Sequence, residues 1–189
     1  MFEARSTYHH GDLREALVRA GLEMARAEGA QAVVLREATR RAGVTARAAY
    51  RHFADREALV RAVAGAALTE MAATITRCQA GASDGLALLR GVGEGYIRFA
   101  LDEPGWFDVA FFAMGDPVQP SRSPYHLLEE ALRLLVGPDR VAGAAIMCWS
   151  GVHGFATLAT RGPLRALPRA AIDAQGRELV DQLCDNVLR

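Results

Sequence analysis

Six arginines, Arg36, Arg40, Arg41, Arg47, Arg51 and Arg56, crowd one stretch of the chain in which the only acids are Glu37 and Asp55. A guanidinium offers a planar fork of N–H donors that matches a phosphate, or the O6 and N7 edge of guanine. Thr45, Ala46 and Arg47 stand together in it, and Tyr50, Arg51 and His52 follow one helical turn later. The chemistry indicated is recognition of nucleic acid. Over the whole chain 22 basic and 22 acidic residues cancel, and every basic residue is arginine. A neutral chain must bind DNA through a local cluster, and this is the cluster.

The element that positions these side chains runs from Leu35 to Phe53, LREATRRAGVTARAAYRHF. Two short helical patterns meet around Ala42-Gly43-Val44-Thr45. Gly43 can take the left-handed conformation that closes a helix. Thr45 can accept from orphan amides and open the next helix. Val44 is placed to plug the angle between them. This is the anatomy of a helix-turn-helix, whose second helix lies in the major groove. Thr45, Ala46 and Arg47, at the N-terminal end of that helix, are expected to meet base edges. Tyr50, Arg51 and His52 suit phosphates, which position a protein without reading sequence. Phe53 reads as core, and Arg56 opens the following helix, where free amides favour an anion. Charge alone fits equally an arginine-rich solvated face on an ordinary bundle. The turn chemistry and the Tyr50-Arg51-His52-Phe53 close argue for the sharper reading.

The rest of the chain reads as helix after helix. Asp12 and Glu15 have the spacing of a capping box ahead of the stripe Leu13, Leu17, Ala20 and Met24. Asp55 caps a long helix of about 56–79, with Leu59, Val63, Ala67 and Met71 on its apolar face. Ser83 or Asp84 caps the next, Leu86 to Leu101, which Glu103-Pro104-Gly105 stops. The aromatic segment Trp106 to Met114 follows, then the loop GDPVQPSRSP, and Ser123-Pro124 restarts a helix. Two more are expected over Asp139–Thr160 and Ala170–Leu188. No stretch alternates as a strand would. The expected fold is all-α with about nine helices: a helix-turn-helix unit of residues 1–56 and a larger unit of 57–189.

Several classes are disfavoured. Cys78, Cys148 and Cys184 are scattered and form no CxxC pair, against a metal cluster or a disulfide framework. His9, His10 and Asp12 suit a DNA-phosphate contact or a mobile arm better than a metal. No clustered polar set suggests an enzyme, and no cofactor is expected. The start of the sequence lacks the apolar core of a signal peptide. The longest apolar run, Val141 to Val152, falls short of the roughly 20 residues that span a bilayer. A cytoplasmic protein with no membrane partner is expected.

The segments YHHGDLREAL and LREATRRAGVTARAAYRHFADREAL resemble the DNA-binding domain of TetR-family transcriptional regulators, over about Tyr8 to Val63. The resemblance implies base and phosphate contacts from Thr45, Ala46, Arg47, Tyr50 and His52, with Arg56 gripping the DNA backbone. Two departures stand out. Val34 replaces the usual hydroxyl that caps the first motif helix, and Ala38-Thr39 replaces a bulky-then-small pair. Thr39 can bond back to a carbonyl of its own helix.

Further on, CWSGVHGFATL resembles the Trp…His-Gly signature of one C-terminal subclass of that family. Trp149 and His153 share a helix face. They either pack, with Gly151 and Gly154 permitting close helix contact, or line a ligand pocket with Tyr96, Phe99, Phe107, Phe111 and Met114. The resemblance implies a homodimer joined through the last two long helices. It implies a palindromic double-stranded operator and release by an apolar small-molecule effector, most often as a repressor. The alternative is a helical small-molecule-binding protein without sequence-specific DNA binding.

Overall fold

A computed structural model describes residues 10–113 and 120–189, with side chains described from Leu13 onward. Among the described residues there are nine α-helices and no strand. In chain order they are α1 (His10–Glu28), α2 (Leu35–Arg41), α3 (Ala46–Tyr50), α4 (Arg56–Cys78), α5 (Gly85–Asp102), α6 (Pro104–Phe112), α7 (Pro124–Leu132), α8 (Pro138–Thr160) and α9 (Arg169–Val187). Short 3-10 turns at Ala30–Ala32 and Pro163–Ala166 were not foreseen. The helix expected to start at Asp12 starts earlier. Helix α1 is already running at His10, so Asp12 stands inside it.

Local chemistry sets most boundaries. Thr45, Asp55, Asp84 and Ser123 each accept from the amide three residues on, capping α3, α4, α5 and α7. Pro104, Pro124 and Pro138 take first-turn positions, where the missing N–H costs nothing. Thus Pro104 both ends α5 and begins α6.

Two apolar cores share α4. Its first half, with Leu59, Val63, Ala67 and Leu68, packs on α1, α2 and α3 around Leu17, Met24, Val33 and Phe53. Its second half, with Met71 and Ile75, packs on α5 and the later helices around Tyr96, Phe107, Leu127 and Val152. Helix α6 reaches back, placing Val109 and Ala110 in the first core. The glycines of α5 are packing residues and not a phosphate loop. A Cβ on Gly95 would come within 2.6 Å of the Ile75 Cα, so α4 and α5 approach only because it is absent.

By length and composition α4 and α8 are each apolar enough to cross a membrane. For α4 the interior accounts for this, with 61% of its apolar window buried, against 33% for α8. The surplus on α8 lies on one outward face, where Gly143, Ile146, Met147, Ser150, Gly154 and Leu158 are exposed. Gly151 lets α9 come close, since a Cβ there would meet Leu183 at 2.9 Å. Gly154, expected to do the same, has nothing within 4 Å of that position.

Candidate nucleic-acid interface and ligand pocket

The turn between α2 and α3 is built from backbone hydrogen bonds. Gly43 has φ +66°, its amide donates to the Arg40 carbonyl, and the Val44 amide donates to Thr39 at 3.0 Å. That pair of bonds is a Schellman closure with glycine at its left-handed position. Thr45 Oγ1 then accepts from the Ala48 amide at 3.3 Å. Val44 packs, half-buried, against the first core. Val34 supplies no side-chain cap to α2, and Thr39 donates to the Arg36 carbonyl at 2.6 Å, as its type and place suggested.

The arginines divide into two sets. Arg40 and Arg41 both donate to Glu37, Arg40 through two nitrogens at 2.7 and 2.8 Å. These bonds hold the Glu37 carboxyl down to about 2, so its charge persists at any pH near neutrality. Arg36, Arg47 and Arg51 are exposed and have no acidic partner among the described residues. Arg47 and Arg51 lie four apart on α3 and its C-cap, with Tyr50 beside them at 59% exposure. Thr45 and Ala46 are exposed at the same end, and His52 is half-buried. The face thus offers free guanidiniums, a phenol and a hydroxyl from one short helix.

Arg56 is placed differently from expectation. Its guanidinium turns back on the protein and donates to the carbonyls of Val33, Ala30 and Gln31. One of the first amides of α4 is also engaged, since Asp55 takes the Ala58 amide at 2.7 Å.

The predicted pocket residues gather between α5, α6 and α8, with two exceptions. Tyr96 is fully buried, and its hydroxyl meets His153 Nδ1 at 2.8 Å. Around the imidazole, ring centroids lie at 5.1 Å for Phe111, 5.7 Å for Phe107 and 5.9 Å for Phe112. Trp149 stands edge-on to Tyr96 at 5.1 Å. Burial lowers the His153 pKa and pushes that of Tyr96 well up, favouring the neutral form of each. Phe99 is buried but turns to Trp106 instead. Met114 lies outside the described residues. Sequence reasoning missed Tyr125, which packs on Trp149 at 5.5 Å, because nothing in its spacing shows that α7 crosses there.

Comparison with known proteins places this geometry. Residues 17–63 match the model of bacterial regulatory proteins of the tetR family, and residues 89–183, half of the chain, match the tetracyclin repressor-like C-terminal domain. The chain belongs to the TetR family. No curated protein matches the sequence. Among solved structures, a protein of unknown function from Rhodococcus sp. RHA1 is 24% identical, with a TM-score of 0.71, covering 98% of this chain and 100% of that one. A TetR variant from Acinetobacter baumannii AYE in complex with minocycline is 20% identical, with a TM-score of 0.69, covering 91% and 94%. Mycobacterium smegmatis BioQ is 22% identical, with a TM-score of 0.66, covering 93% and 97%. These likenesses are of fold.

In this TetR-family chain the two cores are also joined by polar contacts that the sequence did not reveal. The Trp106 indole donates to the Leu22 carbonyl at 2.8 Å, and Glu103 pairs with Arg26. Asp108 accepts from the Ala30 amide at 3.2 Å and pairs with Arg161 at the end of α8. Glu103, just before α6, and Trp106 and Asp108 on it all reach α1 or the turn after it. Those partners lie more than seventy residues away, and Arg161 lies 53 from Asp108, all beyond any local pattern.

Proposed function

We propose that the chain is a ligand-responsive transcriptional repressor that binds a palindromic operator as a homodimer and is released by a largely apolar small molecule. Residues 1–56 are the DNA-binding unit and 57–189 the regulatory and dimerisation unit. The observation carrying this reading is the outward set Arg36, Arg47 and Arg51, left uncompensated while Glu37 holds Arg40 and Arg41. Arg47 reads a base edge; Tyr50, Arg51 and His52 grip phosphate; Thr45 and Ala46 line the groove.

One recognition helix covers a half-site, so two are needed for a palindrome. The exposed apolar face of α8, with Ile146 at 63% and Leu158 at 46%, supports pairing of α8 and α9 with their copies. The minocycline bound by the A. baumannii neighbour supports a small-molecule effector for this fold. Ligand among the rings around Tyr96 shifts the population towards wrongly spaced recognition helices, by no more than its differential affinity for the two states.

Footprinting of DNA flanking its own gene, followed by a salt titration, tests the proposal. Each phosphate neutralised should add a slope of about −0.9 in log K against log salt. A flat response would leave only the helical small-molecule-binding reading. Ile146→Asp should separate the dimer in sedimentation; a variant that stays dimeric overturns the α8 interface.

A further inference from the structure

The Tyr96–His153 pair sits among aromatic rings, and one turn on along α8 the Thr157 hydroxyl is also buried, with no partner among the described residues. The Tyr96 hydroxyl is buried and has one partner, Nδ1 of His153. A phenol enclosed by apolar surface must donate its proton or lose a hydrogen bond, so it donates to an unprotonated Nδ1. That fixes the imidazole proton on Nε2. No described residue accepts from Nε2. An N–H donor therefore stands without an acceptor among the described residues, on a ring flanked by Phe107, Phe111 and Phe112.

No full charge is available beside it. Arg161, whose guanidinium lies 4.0 Å over Phe112, is already paired with Asp108. Across Tyr96 and Trp149 lies a cavity of about 20 Å³, lined by Leu89, Val92, Leu128, Val152, Val180 and Leu183. Its walls are aliphatic apart from the Cys148 and Cys184 thiols, and it has room for about one water, so a larger occupant enters by moving the rings aside. Flat faces, an apolar floor and few donors, the His153 N–H among them, define what fits.

Building on the effector pocket proposed above, we infer that its ligand is an uncharged aromatic molecule with one hydrogen-bond acceptor, received by His153 Nε2–H. An anion finds no free cation there. A cation meets a donor where it needs an acceptor, and no unpaired carboxylate.

Four probes of one shape separate these possibilities: 2-acetonaphthone, 2-naphthoate, 2-ethylnaphthalene and 2-(2-naphthyl)ethylamine. Binding to the full-length protein is read by quenching of Trp106 and Trp149. The ketone should bind about tenfold more tightly than the others, the scale of one net hydrogen bond. His153→Phe, which keeps a ring in the cage, should abolish the preference for ketone over hydrocarbon while hydrocarbon binding remains. Equal or tighter binding of the carboxylate or amine overturns the neutral-ligand assignment. Equal binding of the hydrocarbon, or a preference unchanged in His153→Phe, overturns the donor. Binding of none of the four overturns the inference outright. Operator binding measured without probe tests the regulator reading separately, so DNA binding with no probe bound sinks only the inference.

Discussion

Arg56 Nε donates to the Val33 carbonyl at 2.8 Å, tying the residue that opens α4 to the segment that leads into α2. Its Nη2 reaches the Ala30 carbonyl at 3.2 Å. Because Val34 gives α2 no side-chain cap, this clasp is one of the few polar contacts holding its entrance. Arg56→Ala should therefore cost about 1 kcal/mol in stability, below the usual range for charged hydrogen bonds because the group is exposed. DNA affinity should fall for operator and random sequence alike. Arg47→Ala should leave the melt unchanged and lose roughly 1–3 kcal/mol of operator preference. Urea melts and competition binding on both variants check this; matching profiles would contradict it.

Glu37 holds two arginines of α2 in ion pairs along their own helix. Glu37→Gln removes the charge that pairs Arg40 and Arg41. The freed guanidiniums should raise non-specific affinity and steepen the salt slope by roughly one to two units. An unchanged slope would mean that neither arginine reaches a phosphate.

His153 should couple stability to mild acid. Burial puts its folded pKa below the ordinary 6.5, so over the interval between the two values the unfolded chain binds more protons. Stability is then full above about 6.5 and is lost as pH falls through that interval, levelling off below the folded pKa. Urea midpoints at about pH 7.5 and 5.5 should differ more in the parent than in His153→Phe.

Gly105 marks where α6 lies on α1. A Cβ there would fall 2.1 Å from the Ala25 carbonyl oxygen, a backbone atom that cannot swing away. Gly105→Ala should separate the two helices, weaken the Trp106–Leu22 hydrogen bond and destabilise by about 1–3 kcal/mol. Thermal melts check the stability, and a wild-type melting curve would show that the helices are not so closely held.

The sequence alone determined what depends on neighbours along the chain. The closure at Gly43, the cap at Thr45, the proline starts and the apolar stripes are local, since a helix is begun and ended by residues within a turn. The recognition helix and its exposed arginines were legible for that reason. A capping pattern can still occur inside a helix, as at Asp12. Periodicity names a helix's buried face but not the partner across it, and there tertiary structure decided. It turned Arg56 inward to carbonyls 23 to 26 residues away and Phe99 towards Trp106. It also brought Tyr96 to His153, 57 residues on, and Asp108 to Ala30. Such pairings form only when whole helices dock, because apolar burial sets how the helices lie and the polar groups bond to whatever acceptor that docking brings within reach.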